Sequence, residues 1–122
     1  QQEMAFVAEN KENEILGVVR TWTDADQVQS EFSVLIGDKA QGMGLGYRLM
    51  TKMIEYCTAQ GIVEMMGTVL ADNGPMLKLA RKLGFKVKRH LDGDIVEIVL
   101  PLNAPKEEWQ KQRLVKLHDN KK

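Results

Sequence analysis

The chain has 122 residues, which fits one domain with a hydrophobic core and leaves little room for two. Lysine plus arginine equals aspartate plus glutamate, at 17 each, so a formal net charge of zero gives no electrostatic reason to expect nucleic acid or an anionic membrane as a partner. No signal peptide is visible and no apolar run approaches membrane length, so we expect a soluble cytoplasmic protein.

Three strands are predicted in the first third of the chain, joined by short polar turns. Apolar and β-branched residues mark them at residues 4–8, 14–22 and 30–36. In the third strand the apolar residues alternate with a second set on the other side: Phe32, Val34 and Ile36 on one, Glu31, Ser33 and Leu35 on the other. Consecutive strands with short links predict an antiparallel meander.

The hydrophobic period then changes to that of a helix. Apolar residues recur at helical spacing over residues 47–60, and Gly61 is suited to end the helix. The single cysteine, Cys57, lies on this helix and is interpreted as a small buried side chain rather than a reactive thiol. No Cys/His spacing typical of a metal site is present, so no metal is expected.

The remainder of the domain predicts a strand, a second helix and a hairpin. Residues 62–70 form the strand, and Asn73 and Pro75 supply a cap and a first-turn proline for a helix that stops at Gly84. Residues 85–89 and 95–102 flank a turn. Residues 1–102 therefore predict an α+β domain whose helices pack against a mostly antiparallel sheet.

Both ends of the chain depart from this pattern. Residues 103–122 are strongly charged, with a weak apolar face, and predict a helical or partly disordered tail. The first residue is Gln1 rather than methionine, and an apolar strand begins almost at once, so we interpret the chain as a fragment of a longer protein.

A glycine-rich segment, Gln41-Gly42-Met43-Gly44-Leu45-Gly46, lies between a predicted strand and a predicted helix, and Arg48 follows in the first helical turn. Missing side chains let phosphate oxygens approach the backbone, and a helix N-terminus adds free N–H groups and partial positive charge. The segment therefore predicts binding of a diphosphate. A glycine-rich turn that only reverses the chain remains the alternative.

Two other phosphate-binding motifs are excluded by spacing. A Walker A loop ends in Gly-Lys-Ser/Thr, whereas Tyr47 and Arg48 follow Gly46 here. A dinucleotide-binding fingerprint needs its third glycine three positions after the second, where this chain has Tyr47.

Residues 41–46 match the Q/R-x-x-G-x-G/A pyrophosphate signature of the GNAT superfamily of N-acetyltransferases, and Asn73 followed by Leu83-Gly84-Phe85 resembles its second hallmark. The wider pattern over residues 3–102 resembles the C-terminal acetyltransferase domain of bacterial Pat-type protein lysine acetyltransferases. The resemblance implies a GNAT fold, here without its first strand and first two helices. It also implies acetyl-CoA as cosubstrate, a protein lysine as acceptor, and fusion to a larger domain similar to an acyl-CoA synthetase.

A general base is needed because the attacking amine must be neutral, and a free lysine has a pKa of about 10.4. From Ile36 back to Glu31 an extended strand spans roughly 17 Å, comparable to a pantetheine arm. Phosphates on the glycine loop would thus lay that arm along Val34, Leu35 and Ile36 and bring the thioester near Glu31. The resemblance likewise implies a glutamate base at this strand position, acting through water. The alternative is a solvated strand carboxylate.

The second helix carries two further features. Asn73 caps the helix, hydrogen-bonds the cofactor, or does both. Many members of the superfamily carry in this helix a tyrosine that protonates the departing thiolate, and the matching position here is Ala80, so no general acid is assigned. A basic cluster is interpreted as solvated side chains, or alternatively as supplying one or two contacts to the nucleotide 3′-phosphate: Lys78, Arg81, Lys82, Lys86, Lys88, Arg89 and His90.

Two other functions remain open: a non-catalytic module that senses acetyl-CoA, and an acetyltransferase for small amines. Elements expected before residue 1 normally set the choice of acceptor, so the sequence does not name it. A sheet that lacks its first strand exposes an edge. We therefore expect either self-association or a tail around residues 109–117 folded over exposed apolar surface.

Overall fold

A computed structural model describes residues 2–90 and 92–104 of the chain. Strands β1 (Gln2–Glu9), β2 (Ile15–Thr23) and β3 (Gln29–Ile36) form the predicted antiparallel meander. Asn10 closes the first turn, because its side-chain oxygen accepts hydrogen bonds from the backbone N–H groups of residues 12 and 14. Asp24 closes the second by accepting from the N–H of residue 28 at 2.9 Å.

Helix α1 (Leu45–Ala59) follows a short 3-10 turn (Asp38–Ala40). It begins two residues before the predicted start, because Gly44 adopts a left-handed φ of 73° at the N-cap and directs the chain into the helix. Helix α2 (Gly74–Leu83) is capped as predicted: the Asn73 side chain accepts from the N–H of Met76 at 3.2 Å, and Gly84, with φ 99°, ends it.

Three further strands complete one six-stranded sheet. They are β4 (Glu64–Leu70), β5 (Lys86–His90) and β6 (Ile95–Pro101), and the sheet order is β1-β2-β3-β4-β6-β5. All neighbouring strands are antiparallel except β3 and β4, which are parallel. The predicted α+β class, with a mixed and mostly antiparallel sheet and flanking helices, is confirmed.

The parallel contact between β3 and β4 is short. Only three aligned pairs join them, and the last is Glu31 with Met66. Beyond that pair β3 continues to Ile36 beside β2, whereas β4 continues beside β6. The two strands therefore separate toward their carboxyl ends and leave a gap that opens beside the glycine segment.

Both helices contribute to one core on a single face of the sheet. Its buried side chains come from α1, α2 and the inward positions of the strands, and include Val19, Phe32, Met50, Met53, Cys57, Met65, Ala80, Phe85 and Ile98. Phe32, the first residue of the predicted apolar alternation, is buried there, and Cys57 is buried as predicted. The opposite face has no helix against it among the described residues, and Trp22, Glu31 and Leu35 are exposed on it.

Strand β1 lies at one edge of this sheet. The predicted tail falls almost entirely outside the described residues, so the expectation that it covers apolar surface, or that the protein self-associates, stays a prediction. None of the helices in residues 2–90 and 92–104 is long and apolar enough to cross a membrane.

Candidate functional site

A groove of about 610 Å³ lies where the end of β3, the glycine segment and the start of α2 meet. Its β3 residues, Val34, Leu35 and Ile36, lie in the part of the strand that no longer pairs with β4. The groove is lined by Val34, Leu35, Ile36, Ala40, Gln41, Gly42, Gly44, Leu45, Gly46, Tyr47, Asn73, Pro75, Met76, Lys78, Leu79 and Lys82.

The glycines of the segment serve two different purposes. Gly42 and Gly44 have φ angles of 80° and 73°, a region that side chains with a Cβ rarely adopt. A Cβ at either position would meet no atom within 4 Å, so the space beside them is open. At Gly46 a Cβ would lie 3.2 Å from the Leu79 side chain, so glycine lets α1 approach α2 closely.

The start of α1 presents backbone donors to the groove. The hydrogen-bond ladder of α1 begins where the N–H of Arg48 donates to the carbonyl of Gly44, at 3.2 Å. The preceding N–H groups at the helix start therefore lie ahead of the helical ladder and are available to a ligand. No acidic residue lies in the first turn of α1, so nothing there offsets the positive end of the helix dipole.

Lysine side chains add positive charge to the same groove. Lys78 and Lys82 both line it, and the Lys82 ammonium lies 4.7 Å from the centroid of the Tyr47 ring. Open space at two left-handed glycines, free amide donors and two lysines together suit an anionic diphosphate ligand. The residues present therefore fit the acetyl-CoA that the sequence resemblance implies.

The strand side of the groove offers a backbone edge. Beyond Glu31, β3 pairs with β2 on one side but not with β4 on the other. Backbone N–H and C=O groups that point toward the gap need partners, and an extended ligand with amide groups supplies them in the manner of a strand.

Glu31 marks the inner end of this gap. It is the last residue of β3 that pairs with β4, and its side chain is exposed on the face opposite the helices. None of the ion pairs among the described residues involves it. A carboxylate that is exposed and free of a cationic partner can accept a proton from a substrate or a bridging water.

The structure separates the predicted site residues into two groups. Nine of the predicted cofactor-binding residues line the groove: Val34, Leu35, Ile36, Gln41, Gly42, Gly44, Leu45, Gly46 and Asn73. Met43 and Arg48 do not, and Glu31 lies at the end of the gap rather than in the groove lining. Met43 is exposed, and Arg48 lies against β1 on another side of α1, in a small depression with Phe6 and Lys52.

Several lining residues of α2 were not predicted individually. Lys78 and Lys82 were singled out only within the basic cluster, whereas Arg89 of that cluster pairs instead with Glu97 at 2.8 Å. A helical signal was available, because Pro75, Lys78 and Lys82 recur at three- and four-residue spacing and so share one face with the capped helix start.

Two features of the site constrain its chemistry. Ala80 is 2% exposed and packs in the core, so this position supplies no hydroxyl to a leaving group. Among the described residues, no group of three or more His, Cys, Asp or Glu side chains could hold a metal ion.

Comparisons with known proteins agree with this geometry. The model of the acetyltransferase (GNAT) family matches residues 1–85. An L-methionine sulfoximine/L-methionine sulfone acetyltransferase of Pseudomonas paraeruginosa is 32% identical over 86 residues, which cover 67% of this chain and 50% of that protein. An acetyltransferase of Pseudomonas aeruginosa is 36% identical over 95 residues, 75% of this chain and 51% of the other.

Solved structures show the same fold. A phosphinothricin acetyltransferase from Sinorhizobium meliloti, solved in complex with acetyl-CoA, superposes with a TM-score of 0.73 at 21% identity, over 84% of this chain and 65% of that one. The chain spans about half the length of the curated relatives it matches. With its glycine loop, diverging strands and matching family model, the chain belongs to the acetyltransferase (GNAT) family.

Proposed function

We propose that the protein is an N-acetyltransferase that moves acetyl from acetyl-CoA directly to a primary amine. Two observations carry this proposal: the groove joins the glycine loop to Val34, Leu35 and Ile36 of β3, and the β3 edge facing β4 is unpaired after Glu31. Family membership supports the reaction class.

In this proposal the groove holds acetyl-CoA and no metal takes part. The N–H groups of Gly42, Gly44 and Gly46 at the α1 N-terminus hold the pyrophosphate, with Gln41 and Leu45 completing the loop. The predicted contributions of Met43 and Arg48 are not part of this proposal, because neither residue lines the groove. Val34, Leu35 and Ile36 bond the pantetheine amides through their backbone, and the Asn73 side chain contributes from the opposite wall. Lys78 and Lys82 attract the nucleotide phosphates. Acetyl-CoA supplies a thioester carbonyl as the electrophile.

Glu31 is proposed as the general base. It removes a proton from the incoming ammonium, directly or through one water, because only the neutral amine carries the lone pair needed for attack. A bond forms between the amine nitrogen and the acetyl carbon, and the nitrogen releases its second proton to water. The carbon–sulfur bond breaks, and the sulfur leaves as a thiolate. Since Ala80 offers no donor, the thiolate takes its proton from solvent, which its modest basicity permits.

A protein lysine side chain is the acceptor we propose first, because the sequence resembles Pat-type enzymes. The same resemblance supports a synthetase-like domain elsewhere in the full protein. We also propose a cytoplasmic location. A small amine is the second candidate, and one observation favours it: a relative at 32% identity acts on L-methionine sulfoximine and L-methionine sulfone. A non-catalytic acetyl-CoA sensor is the third, because it would use the same groove.

Mass spectrometry of acceptors incubated with acetyl-CoA and the full-length protein tests these candidates together. The panel contains a purified acyl-CoA-synthetase-type enzyme, spermidine and L-methionine sulfone, each also run with a Glu31→Gln variant. Acetylation that depends on Glu31 supports the proposal, and the modified acceptor names the substrate class. Tight acetyl-CoA binding with no transfer to any acceptor would reject the acetyltransferase hypothesis in favour of the sensor hypothesis.

A further inference from the structure

Trp22 is the neighbour of Glu31 across the β2–β3 pair. The register aligns their Cα atoms directly, and side chains so placed in antiparallel strands have Cβ atoms about 4.5–5.5 Å apart. The flanking residues Thr21 and Thr23 are buried on the helix-bearing face, so Trp22 and Glu31 share the opposite face.

Trp22 is one of several exposed apolar side chains on this face. It is 41% exposed although β1 and β3 lie on both sides of β2. Tryptophan is highly buried on average, and an accessible indole offers a large apolar surface with one polar edge to a ligand.

Access to Glu31 is limited to this face. On the helix-bearing side its strand neighbours Ser30 and Phe32 are buried, and Met65 fills the adjacent position on β4. Within the described residues, an acceptor therefore approaches the Glu31 carboxylate from the face opposite the helices. Its nearest cross-strand neighbours there are Trp22 on one side and Met66 on the other.

Two carboxylates flank Trp22, and Glu31 is the one outside the ion pairs of the described residues. Glu3 lies across from Trp22 on β1, opposite to Glu31 on β3, so the indole has a carboxylate on each flank. The nearby cation is Arg20, and Glu3 holds it at 3.3 Å. An indole face beside the unpaired Glu31 carboxylate attracts an ammonium group and disfavours a carboxylate on the ligand.

We propose that Trp22 contacts the acceptor and selects a primary ammonium carried on an aliphatic arm, with no carboxylate close to the amine. This inference rests on the proposed acetyl transfer and on Glu31 as its base. The methylene groups of the arm pack on the indole, and the ammonium passes over it to reach Glu31. A lysine side chain and a polyamine share this chemistry.

Tryptophan fluorescence provides a binding test that needs no turnover. The chain has two tryptophans, so a Trp109→Phe variant leaves Trp22 as the sole reporter. Spermidine or Nα-acetyl-lysine methylamide should change the Trp22 emission in a saturable way, and the tighter of the two identifies the source of the ammonium. L-methionine sulfone, which carries a carboxylate beside its amine, should bind more weakly. Tighter binding of the sulfone would overturn the proposed class.

Kinetics give the second readout. Trp22→Ala should raise KM for the amine about fivefold to thirtyfold while KM for acetyl-CoA changes less than about twofold, and Trp22→Phe should recover part of the loss. Val7→Ala is the matched control, because Val7 is similarly exposed on the same face but pairs with Val18, away from Glu31.

The outcomes separate the two proposals. Unchanged amine KM in a folded Trp22→Ala variant that still transfers acetyl would overturn the role of Trp22 and leave the reaction standing. Saturable amine binding at Trp22 without any acetyl transfer would support the contact between Trp22 and the amine and would overturn the proposed acetyltransferase activity.

Discussion

Gln41 donates a hydrogen bond from its side-chain Nε2 to the backbone carbonyl of Ile36, at 2.9 Å. The bond ties the start of the glycine loop to the last residue of β3. It therefore fixes the loop relative to the strand edge, which sets how far a phosphate seated on the loop lies from Glu31. A glutamine at this position has a structural role even before any ligand binds.

Replacing Gly44 by aspartate should weaken acetyl-CoA binding by well over tenfold, more than about 1.4 kcal/mol. The change puts a side chain and a negative charge into open space where phosphate is expected, at a φ of 73°. Isothermal titration calorimetry measures the affinity. Gly93→Asp is the matched control, since Gly93 also has a positive φ and open space but lies in the β5–β6 turn. Equal acetyl-CoA affinity in both folded variants would contradict the assignment of the glycine loop to the binding site.

Glu31→Gln keeps the side-chain shape and removes the base. Acetyl transfer should fall by roughly 10²–10⁴, the usual contribution of a positioned general base, with acetyl-CoA affinity nearly unchanged. The deficit should shrink as the pH rises toward about 10.4, because more of a lysine acceptor is then already neutral. Initial rates between pH 7 and 10 check this, with Glu55→Gln on α1 as control. Near-normal activity at pH 7 would leave Glu31 a solvated carboxylate, whereas lost cofactor binding would make its role structural.

Gly67→Ala should destabilise the fold by about 1–3 kcal/mol. A Cβ at residue 67 would lie 2.5 Å from the ring of Phe32, which packs against Phe85 with centroids 5.2 Å apart and has little room to move. Urea unfolding measures the change. The control is Gly74→Ala, which meets nothing within 4 Å at the start of α2 and should be neutral or slightly stabilising. Equal stability of the two variants would contradict this packing.

Arg89→Met should cost about 1–3 kcal/mol of unfolding free energy, because it leaves the Glu97 carboxylate buried without its partner. Glu97 is 8% exposed, and a bulge between Val87 and Arg89 places the arginine opposite it. In a Glu97→Gln background the same change should cost much less. Lys88→Met, which removes a neighbouring exposed cation, is the control. Additive losses in the double variant would mean that the two side chains do not stabilise each other.

Cys57 should not react with thiol reagents at pH 8 while the protein is folded. Burial raises the pKa of its thiol, and hydrogen bonds with Ser30 and Thr21 offset only part of that rise. Because the folded-state pKa lies above the unfolded value of about 8.5, the stability advantage of wild type over Cys57→Ala should be full below that pH and decline above it. Ellman labelling and urea titrations at pH 7 and pH 10 measure both effects. Rapid labelling at pH 8 without denaturant would contradict the burial.

Local signals predicted much of this structure. The cap at Asn73 and the helix end at Gly84 depend on conformations that single residues favour, and both were predicted correctly. The glycine loop was predicted in the same way, because the spacing of its glycines just before a helix indicates diphosphate binding.

The long-range arrangement was less accessible to sequence reasoning. That β6 inserts between β4 and β5, and that β3 leaves β4 after Glu31, depend on pairing between segments far apart in the chain. Lys78 and Lys82 were named only within a larger basic cluster, and their place in the groove wall was not predicted, for a related reason. The face of α2 that carries these lysines lines the groove only because tertiary packing places it beside the glycine loop, and the local sequence does not show that packing.

The brief contact between β3 and β4 joins two halves of the sheet, β1-β2-β3 and β4-β6-β5, and we expect it to be a weak boundary. Each of the adjoining antiparallel pairs, β2–β3 and β4–β6, has seven aligned residue pairs, against three across the β3–β4 boundary. Amide protons at that boundary should therefore exchange with solvent through small separations that leave both halves intact. A ligand in the groove would contact both the end of β3 and the start of α2, which follows β4. Its binding should therefore slow deuterium uptake at residues 29–31 and 64–66, away from the loop that holds the phosphates.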